Sequence, residues 1–319
     1  MLSAGLALFG AVVYGAADFL GGLAAKRLRS IVVTAASAAS GLVLLTVLLP
    51  VVGGEWVPAD LAWGALAGVF GMIAIALLYA CLAIGPMSIL SPLTAVVSAV
   101  APMLWGLLVK GETLSPIGYL GLGIALAAVV LVGFIPGERV VRPGARGLLM
   151  AIGAGLAIGA FLIAIDQTSP ESGLVPLVMT RATTTTITAV IIAVLMIRAI
   201  RTGRRAASVL EVSGVALGAT PSGHADLEHA ADNGRVGVPA SPSRAWTLAL
   251  MCGVVDAAAN AVMLLALRIG DLSIVSALTA LYPAGTIILA AVVLKERVGR
   301  VQWVGLALAL LAGGMLALA

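Results

Sequence analysis

The sequence predicts an all-α membrane protein in which ten transmembrane helices form two inverted five-helix repeats. Composition is the first reason: 61% of the 319 residues are hydrophobic and only 10% are charged. Soluble domains carry about 25% charged residues, so much of this apolar surface must face lipid. A series of long apolar stretches and a repeated octapeptide are the other two reasons.

Ten stretches are long enough to cross the membrane as helices, since about 20 residues at 1.5 Å each span about 30 Å of hydrocarbon. They are 2–25, 30–52, 61–84, 88–109, 114–135, 147–166, 174–197, 246–269, 273–294 and 301–319. Gly and Pro, which are typical of helix ends, separate most of them. No basic segment precedes the first stretch, so we expect it to be retained and not cleaved as a signal peptide.

The connection at 198–244 differs from the others because it is long and rich in Ser, Gly, Pro, Ala and charge. This composition predicts a flexible loop. Its two histidines, His224 and His229, flank two acidic residues, and this grouping raises the question of a metal site. Histidines five apart do not share a helix face, and no further ligand cluster occurs in the sequence, so we expect neither a metal nor a cofactor.

The distribution of Lys and Arg predicts the orientation. Loops after odd-numbered spans hold 15 basic residues, and loops after even-numbered spans hold 2. Basic loops stay in the cytoplasm, so both termini are expected outside, with the 198–244 loop inside and the plasma membrane as the location. The basic residues form no aromatic-studded patch, so nucleic acid is not an expected partner.

The octapeptide SILSPLTA at 88–95 returns as SIVSALTA at 273–280, with six of eight positions identical. The match continues outside the octapeptide. Gly85 aligns with Gly270, Lys110 with Lys295 and, after a one-residue gap, Glu112 with Glu296. The sequence therefore predicts an internal duplication.

The duplication divides the chain into a first repeat at 1–136 and a second repeat at 137–197 and 245–319, with the 198–244 loop inserted in the second. Each repeat holds five spans. Because five is odd, the second repeat enters the membrane from the opposite side. Inverted repeats of this kind are typical of secondary transporters, which rock one repeat against the other around a site near the midplane.

The segments LAIGPMSILSPLTAVVSAVAP and LLVKGETLSPIGYLGLGIALAAVVLVGF, with LKERVGRVQWVG in the second half, resemble the paired EamA repeats of the drug/metabolite transporter superfamily. The second half carries the more specific motif, Lys295, Glu296 and Arg297 followed by Trp303 and Gly305. The resemblance covers all ten spans. It implies a ten-helix bundle with a central cavity and, commonly, export of metabolites or small amphiphilic compounds, without fixing the substrate.

Ionisable residues inside the spans are candidates for substrate binding or coupling, because a charge in the bilayer costs about 2.5 kcal/mol or more. Asp256 lies near the middle of its span with Asn260 one turn further on, and Asp18 lies one turn from Tyr14. Arg181 is predicted to bind a substrate carboxylate or to act as a counter-ion. The alternatives are a structural Asp256 bonded to Asn260, and snorkelling of Asp18 and Arg181 to the interface.

Small hydroxyl residues spaced by three are candidates for the wall of a transport pathway. They are Ser88, Ser91 and Thr94 in the first repeat, and Ser273, Ser276 and Thr279, followed by Tyr282, in the second. The two sets would face each other across the pathway. The alternative is ordinary packing, since small hydroxyl residues are common where membrane helices meet.

The function expected from the sequence is export of a small molecule by alternating access, with the lipid bilayer, the solute and, in a coupled form, protons as partners. Asp256 and Asp18 at different depths suggest proton coupling. An uncoupled facilitator, an uptake porter and a non-transporting scaffold or sensor are the alternatives. The sequence holds no HExxH or GxSxG motif, and both histidines lie in the loop, so an enzyme is not expected.

Overall fold

The computed structural model of the protein describes residues 2–25, 28–82, 87–132, 144–210, 242–294 and 299–318. Over these residues the fold is all-helical. The α-helices are α1 (Leu2–Ala25), α2 (Ser30–Val52), α3 (Pro58–Leu82), α4 (Met87–Leu108), α5 (Pro116–Val132), α6 (Ala145–Asp166), α7 (Val175–Arg201), α8 (Pro242–Ile269), α9 (Leu272–Thr279), α10 (Tyr282–Leu289) and α11 (Arg300–Ala317). Two short 3-10 helices, Pro170–Ser172 and Ala206–Val209, flank α7.

Eight segments among the described residues are long and apolar enough to cross a membrane. The predicted spans at 88–109 and 114–135 correspond to shorter apolar helices, Leu93–Leu108 and Pro116–Val132. Large apolar side chains such as Val43, Leu149 and Leu310 are more than 60% exposed, as a lipid-facing surface requires. The multi-pass helical membrane architecture predicted from composition is therefore supported.

The predicted span at 273–294 is interrupted. Helix α9 ends at Thr279, α10 begins at Tyr282, and a π-helical turn follows at Ala290–Leu294. Leu281 donates its N–H to the carbonyl of Leu278, three residues back, at 3.1 Å. Pro283 has no N–H to offer the carbonyl of Thr279, so the α-helical ladder cannot continue regularly across this point.

Helices from the two halves of the chain pack on each other throughout the bundle. Helix α1 packs on α8 and on α9 and α10, α2 on α7 and α8, α3 on α6 and α7, α4 on α6 and α9, and α5 on α11. Glycine allows the closest approaches: a Cβ added at Gly15 would lie 2.6 Å from the Thr286 nitrogen. Small residues at such contacts are typical of membrane helix packing.

The bundle core is built largely from alanine and leucine, including Ala7, Ala125, Leu45 and Leu278, which are fully buried. Most of the predicted 198–244 loop, including both of its histidines, lies outside the described residues, as do Lys295, Glu296 and Arg297. Helix α7 ends at Arg201, a few residues into the predicted loop.

Candidate functional site

A central cavity of about 1100 Å³, counting the space at its mouth, lies between helices of both halves. Its wall is mostly apolar, with Ile75, Ile158, Phe161, Leu162 and Met263 among the larger side chains. The predicted candidates that line it are Tyr14, Arg181, Asp256, Asn260, Ser276, Thr279 and Tyr282. Such a chamber, mainly apolar with a few polar groups, has the character of a small-molecule site.

Arg181 of α7 and Asp256 of α8 form an ion pair in this cavity, through Nη2 and Oδ2. Their side chains are 13% and 16% exposed, respectively. Gly41 of α2 leaves room for the arginine, since a Cβ there would lie 3.5 Å from Arg181 Cδ. The arginine therefore points into the bundle and does not snorkel to the interface, and each charge neutralises the other where desolvation is costly.

Asn260 and Tyr14 hold fixed positions beside this pair. Asn260 is 4% exposed, and its Nδ2 donates to the backbone carbonyl of Asp256 at 2.8 Å. The amide thus bonds the main chain one turn back and not the Asp256 carboxylate. The Tyr14 hydroxyl donates to Met263 Sδ at 3.4 Å, which ties α1 to α8 across the cavity wall.

Thr279 and Ser276 place hydroxyl groups at the end of α9. Ser276 Oγ donates to the carbonyl of Ser273 at 3.2 Å, whereas the buried Thr279 Oγ1 has no hydrogen-bond partner. Thr279 also carries the carbonyl that Pro283 cannot satisfy through the helix ladder. The break between α9 and α10 therefore brings hydrogen-bonding capacity to the cavity wall, as discontinuous helices do in secondary transporters.

Five further hydroxyl residues line the cavity and were not singled out from the sequence: Thr34, Ser37, Ser98, Thr180 and Thr184. Several donate to main-chain carbonyls in their own helix, as Ser98 Oγ does to Ala95 at 2.8 Å. Thr180 and Thr184 belong to a threonine-rich run next to Arg181. That proximity was the available signal, but only helix rotation decides which of these threonines face the cavity.

Other predicted pathway residues lie elsewhere. Asp18 is 2% exposed within α1 and is not among the cavity-lining residues, and Ser273 is fully buried. Thr94 Oγ1 donates to the carbonyls of Leu90 and Ala151, which is a packing contact between α4 and α6. The side chains of Ser88 and Ser91 lie outside the described residues.

A second polar group lies at the end of the bundle where α4 ends and α9 begins. Lys110 Nζ lies 2.9 Å from Asp166 Oδ2 and 3.6 Å from Glu112 Oε1. The side chains of Asp166 and Glu112 are only 3% and 7% exposed. Lys110 therefore neutralises Asp166, the last residue of α6.

Two more contacts join helix ends at the same end of the bundle. Arg268, near the end of α8, donates to the carbonyl of Thr168 and, at 2.7 Å, to its hydroxyl. Asp60, at the start of α3, accepts from the N–H of Ser169 at 3.2 Å and from its hydroxyl.

Partial burial raises the pKa of Asp271, which lies between α8 and α9. The Glu112 carboxylate raises this pKa further, and Lys110 lowers it.

Part of the chain matches a known protein family. The EamA-like transporter family matches residues 235–318, which confirms the predicted resemblance in the C-terminal region. No curated protein matches the chain. Among 25 matching solved chains, one described only as the crystal structure of a protein aligns at a TM-score of 0.65, covering 97% of this chain and 98% of that chain at 15% identity. That likeness concerns the fold alone, and the family match supports a membrane transporter of the drug/metabolite type.

Proposed function

We propose that the protein is a secondary transporter that moves a small metabolite or amphiphilic compound through the central cavity by alternating access. The Arg181–Asp256 pair carries this proposal, because it places two charges in a mostly apolar chamber inside a helical membrane bundle. Charges retained inside a membrane bundle mark substrate or ion pathways.

The two-fold pattern of helix packing supports an inverted-repeat architecture. If α1 to α5 correspond in order to α6, α7, α8, the α9–α10 pair and α11, each of the most extensive helix contacts has an equivalent. The contact of α1 with α8 corresponds to the contact of α6 with α3, and the contact of α2 with α8 corresponds to that of α7 with α3. The contacts of α1 with α9 and α10 correspond to the contact of α6 with α4. The contacts α2–α7, α4–α9 and α5–α11 correspond to themselves.

Two hydrogen bonds support the same correspondence at the level of single residues. Ser37 Oγ of α2 donates to the carbonyl of Ala249 in α8 at 3.0 Å. Thr180 Oγ1 of α7 donates to the carbonyl of Gly64 in α3 at 2.9 Å. Ala249 and Gly64 occupy equivalent positions when Gly270 is aligned with Gly85, so the bonds form an equivalent pair.

Glycine contacts repeat in the same way. A Cβ at Gly121 would lie 3.0 Å from Leu316 Cγ, and a Cβ at Gly305 would lie 2.7 Å from the Val132 nitrogen. The alignment that pairs Glu112 with Glu296 also pairs Gly121 with Gly305 and Val132 with Leu316. The α5–α11 contact therefore has the geometry expected of a two-fold axis in the membrane plane.

Proton-coupled export is the form of transport that we propose, at the plasma membrane with both termini outside. Basic loops on one side motivate the orientation, and the Asp256 carboxylate is the coupling group. Protonation of Asp256 would release Arg181 to an anionic group of the solute, and deprotonation would restore the ion pair. Uptake and uncoupled diffusion are the alternatives within the same cavity.

Metabolite profiles of cells with and without the protein test the proposal. We expect one compound or one chemical class to be depleted inside the cells and enriched in the medium, and Asp256→Asn to abolish the difference. Glu55→Gln, which removes an exposed acid outside the cavity, is the matched control and should behave as wild type. Enrichment inside the cells would instead favour uptake, and unchanged profiles with a folded protein would favour a scaffold.

A further inference from the structure

Glu112, in the connection between α4 and α5, bonds the first turn of α9. Its Oε1 accepts the N–H of Leu272 and its Oε2 accepts the N–H of Ser273, both at 2.9 Å. The side chain at the N-cap position, Asp271, makes no capping bond. A residue 160 positions away in the sequence therefore supplies the cap of α9.

The surroundings of Glu112 hold the carboxylate in this position. Gly106 of α4 leaves the necessary space, since a Cβ there would lie 2.8 Å from Glu112 Cδ. The Glu112 N–H donates to the Gly106 carbonyl at 3.0 Å. Lys110 lies within ion-pair distance of both Glu112 and Asp166, so the connection is joined to the end of α6 as well as to α9.

Helix α9 links this cluster to the cavity. Ser276 and Thr279, which line the cavity, lie about one and two turns beyond the capped end. A shift of the α9 N-terminus would therefore move part of the cavity wall, because a helix of eight residues moves as a unit.

The other repeat carries only some of these charges at the corresponding sequence positions. A Cβ at Gly15 would lie 2.7 Å from the Tyr282 oxygen, and a Cβ at Gly155 would lie 2.6 Å from Val97 Cβ, at the equivalent position of the first repeat. Pairing Gly15 with Gly155 on this basis places Lys26 where Asp166 stands. The correspondence of Gly85 with Gly270 places Ala83 where Arg268 stands and Ala245 where Asp60 stands. Asp166, Arg268 and Asp60 therefore have no counterpart of the same charge in the other repeat, whereas Lys110 and Glu112 recur as Lys295 and Glu296.

We propose that Glu112 is a positioning residue for the transport cavity: it anchors α9 and, with the Lys110–Asp166 pair, keeps the cavity closed at this end. The proposal rests on the proposed transport function. Opening at this end requires release of two charge-assisted hydrogen bonds from a helix N-terminus, where a carboxylate is favoured. Without Glu112 the protein would spend more time open on the Lys110 side.

Side-specific labelling of a cysteine at Ser276 tests this role without any substrate. Ser276→Cys is introduced with Cys81→Ser and Cys252→Ser, and a membrane-impermeant thiol reagent is applied to oriented vesicles from each side. A separate Glu171→Cys protein identifies the side that carries the Lys110 end, because Glu171 is exposed there. Glu171→Gln is the matched control, since it removes a carboxylate from the same end without touching α9.

Glu112→Gln should raise the labelling rate from the Lys110 side about tenfold, with little change from the other side, because it weakens charge-assisted bonds to α9. Glu171→Gln should leave both rates at the unmutated value. Lys110→Gln should give a smaller rise on the same side.

Equal rates with and without Glu112→Gln would overturn the positioning role. A parallel rise from both sides, with a lower melting temperature, would overturn it too, since it would indicate general loosening. Labelling from neither side in any variant would contradict the alternating-access cavity itself. That outcome separates failure of the proposed function from failure of the role of Glu112.

Discussion

Arg181 of α7 and Asp256 of α8 form an ion pair inside predicted membrane spans, and both helices pack on α2. Removing one partner leaves the other charge desolvated and unpaired, which costs more than the pair itself contributes. Replacing both removes that penalty. The stability of the four combinations therefore distinguishes a real ion pair from two independent charges.

Asp256→Asn and Arg181→Gln should each lower the free energy of unfolding by about 3 kcal/mol, and the double variant should lose clearly less than the sum. Melting temperatures in one detergent provide the measurement. Arg198→Gln, which removes an exposed arginine from the same helix, is the control and should change little. Additive losses in the double variant would contradict coupling between the two side chains.

At the residue scale, the sequence indicated which charges matter but not how they combine. Arg181 and Asp256 were predictable separately because charges are rare within apolar spans. Their pairing depends on the relative rotation of α7 and α8, which no local pattern specifies. Likewise, Thr94 and Thr279 occupy equivalent positions in the octapeptides, yet Thr94 bonds α6 and Thr279 faces the cavity.

At the scale of elements, close packing of α1 on α10 depends on a glycine. A Cβ at Gly15 would lie 2.6 Å from the Thr286 nitrogen and 2.7 Å from the Tyr282 oxygen, both of them main-chain atoms that cannot rotate away. Gly5, in the same helix, has no such neighbour within 4 Å. The two glycines thus form a matched pair for mutation.

Gly15→Ala should destabilise the protein by about 1–3 kcal/mol, because α1 and α10 must separate to admit the methyl group. Gly5→Ala should be neutral or gain up to about 1 kcal/mol from its higher helix propensity. Melting temperatures and detergent-resistance assays of the two variants provide the comparison. Equal stability of the two variants would show that α1 and α10 are not packed through Gly15.

Helix positions followed closely from the sequence, and the irregular element did not. Apolar length sets the ends of spans, so α6 at Ala145–Asp166 lies within two residues of the predicted 147–166. The break at Thr279 was missed because proline alone does not specify it: Pro102 lies inside α4, which continues to Leu108.

At the scale of the whole molecule, the repeated octapeptide predicted a relation between helices far apart in sequence. The equivalent bonds of Ser37 to Ala249 and of Thr180 to Gly64 support that relation in the packed bundle. Pairing Ser37 with Thr180 through these two bonds places Ala38 at the position of Arg181, and the alignment of Gly85 with Gly270 places Gly71 at that of Asp256. Ala38 and Gly71 line the same cavity but carry no charge. The two charged residues that line the cavity, Arg181 and Asp256, therefore both lie in the second half of the chain.

Flux through the purified protein tests most directly whether it transports small molecules. Liposomes containing the protein and loaded with a mixed metabolite extract are followed by mass spectrometry of the external medium, with and without a pH gradient. We expect protein-dependent release of a restricted set of compounds, which the pH gradient accelerates and Asp256→Asn abolishes. Release no faster than from protein-free liposomes, by a protein that melts cooperatively and carries the intact ion pair, would contradict this expectation.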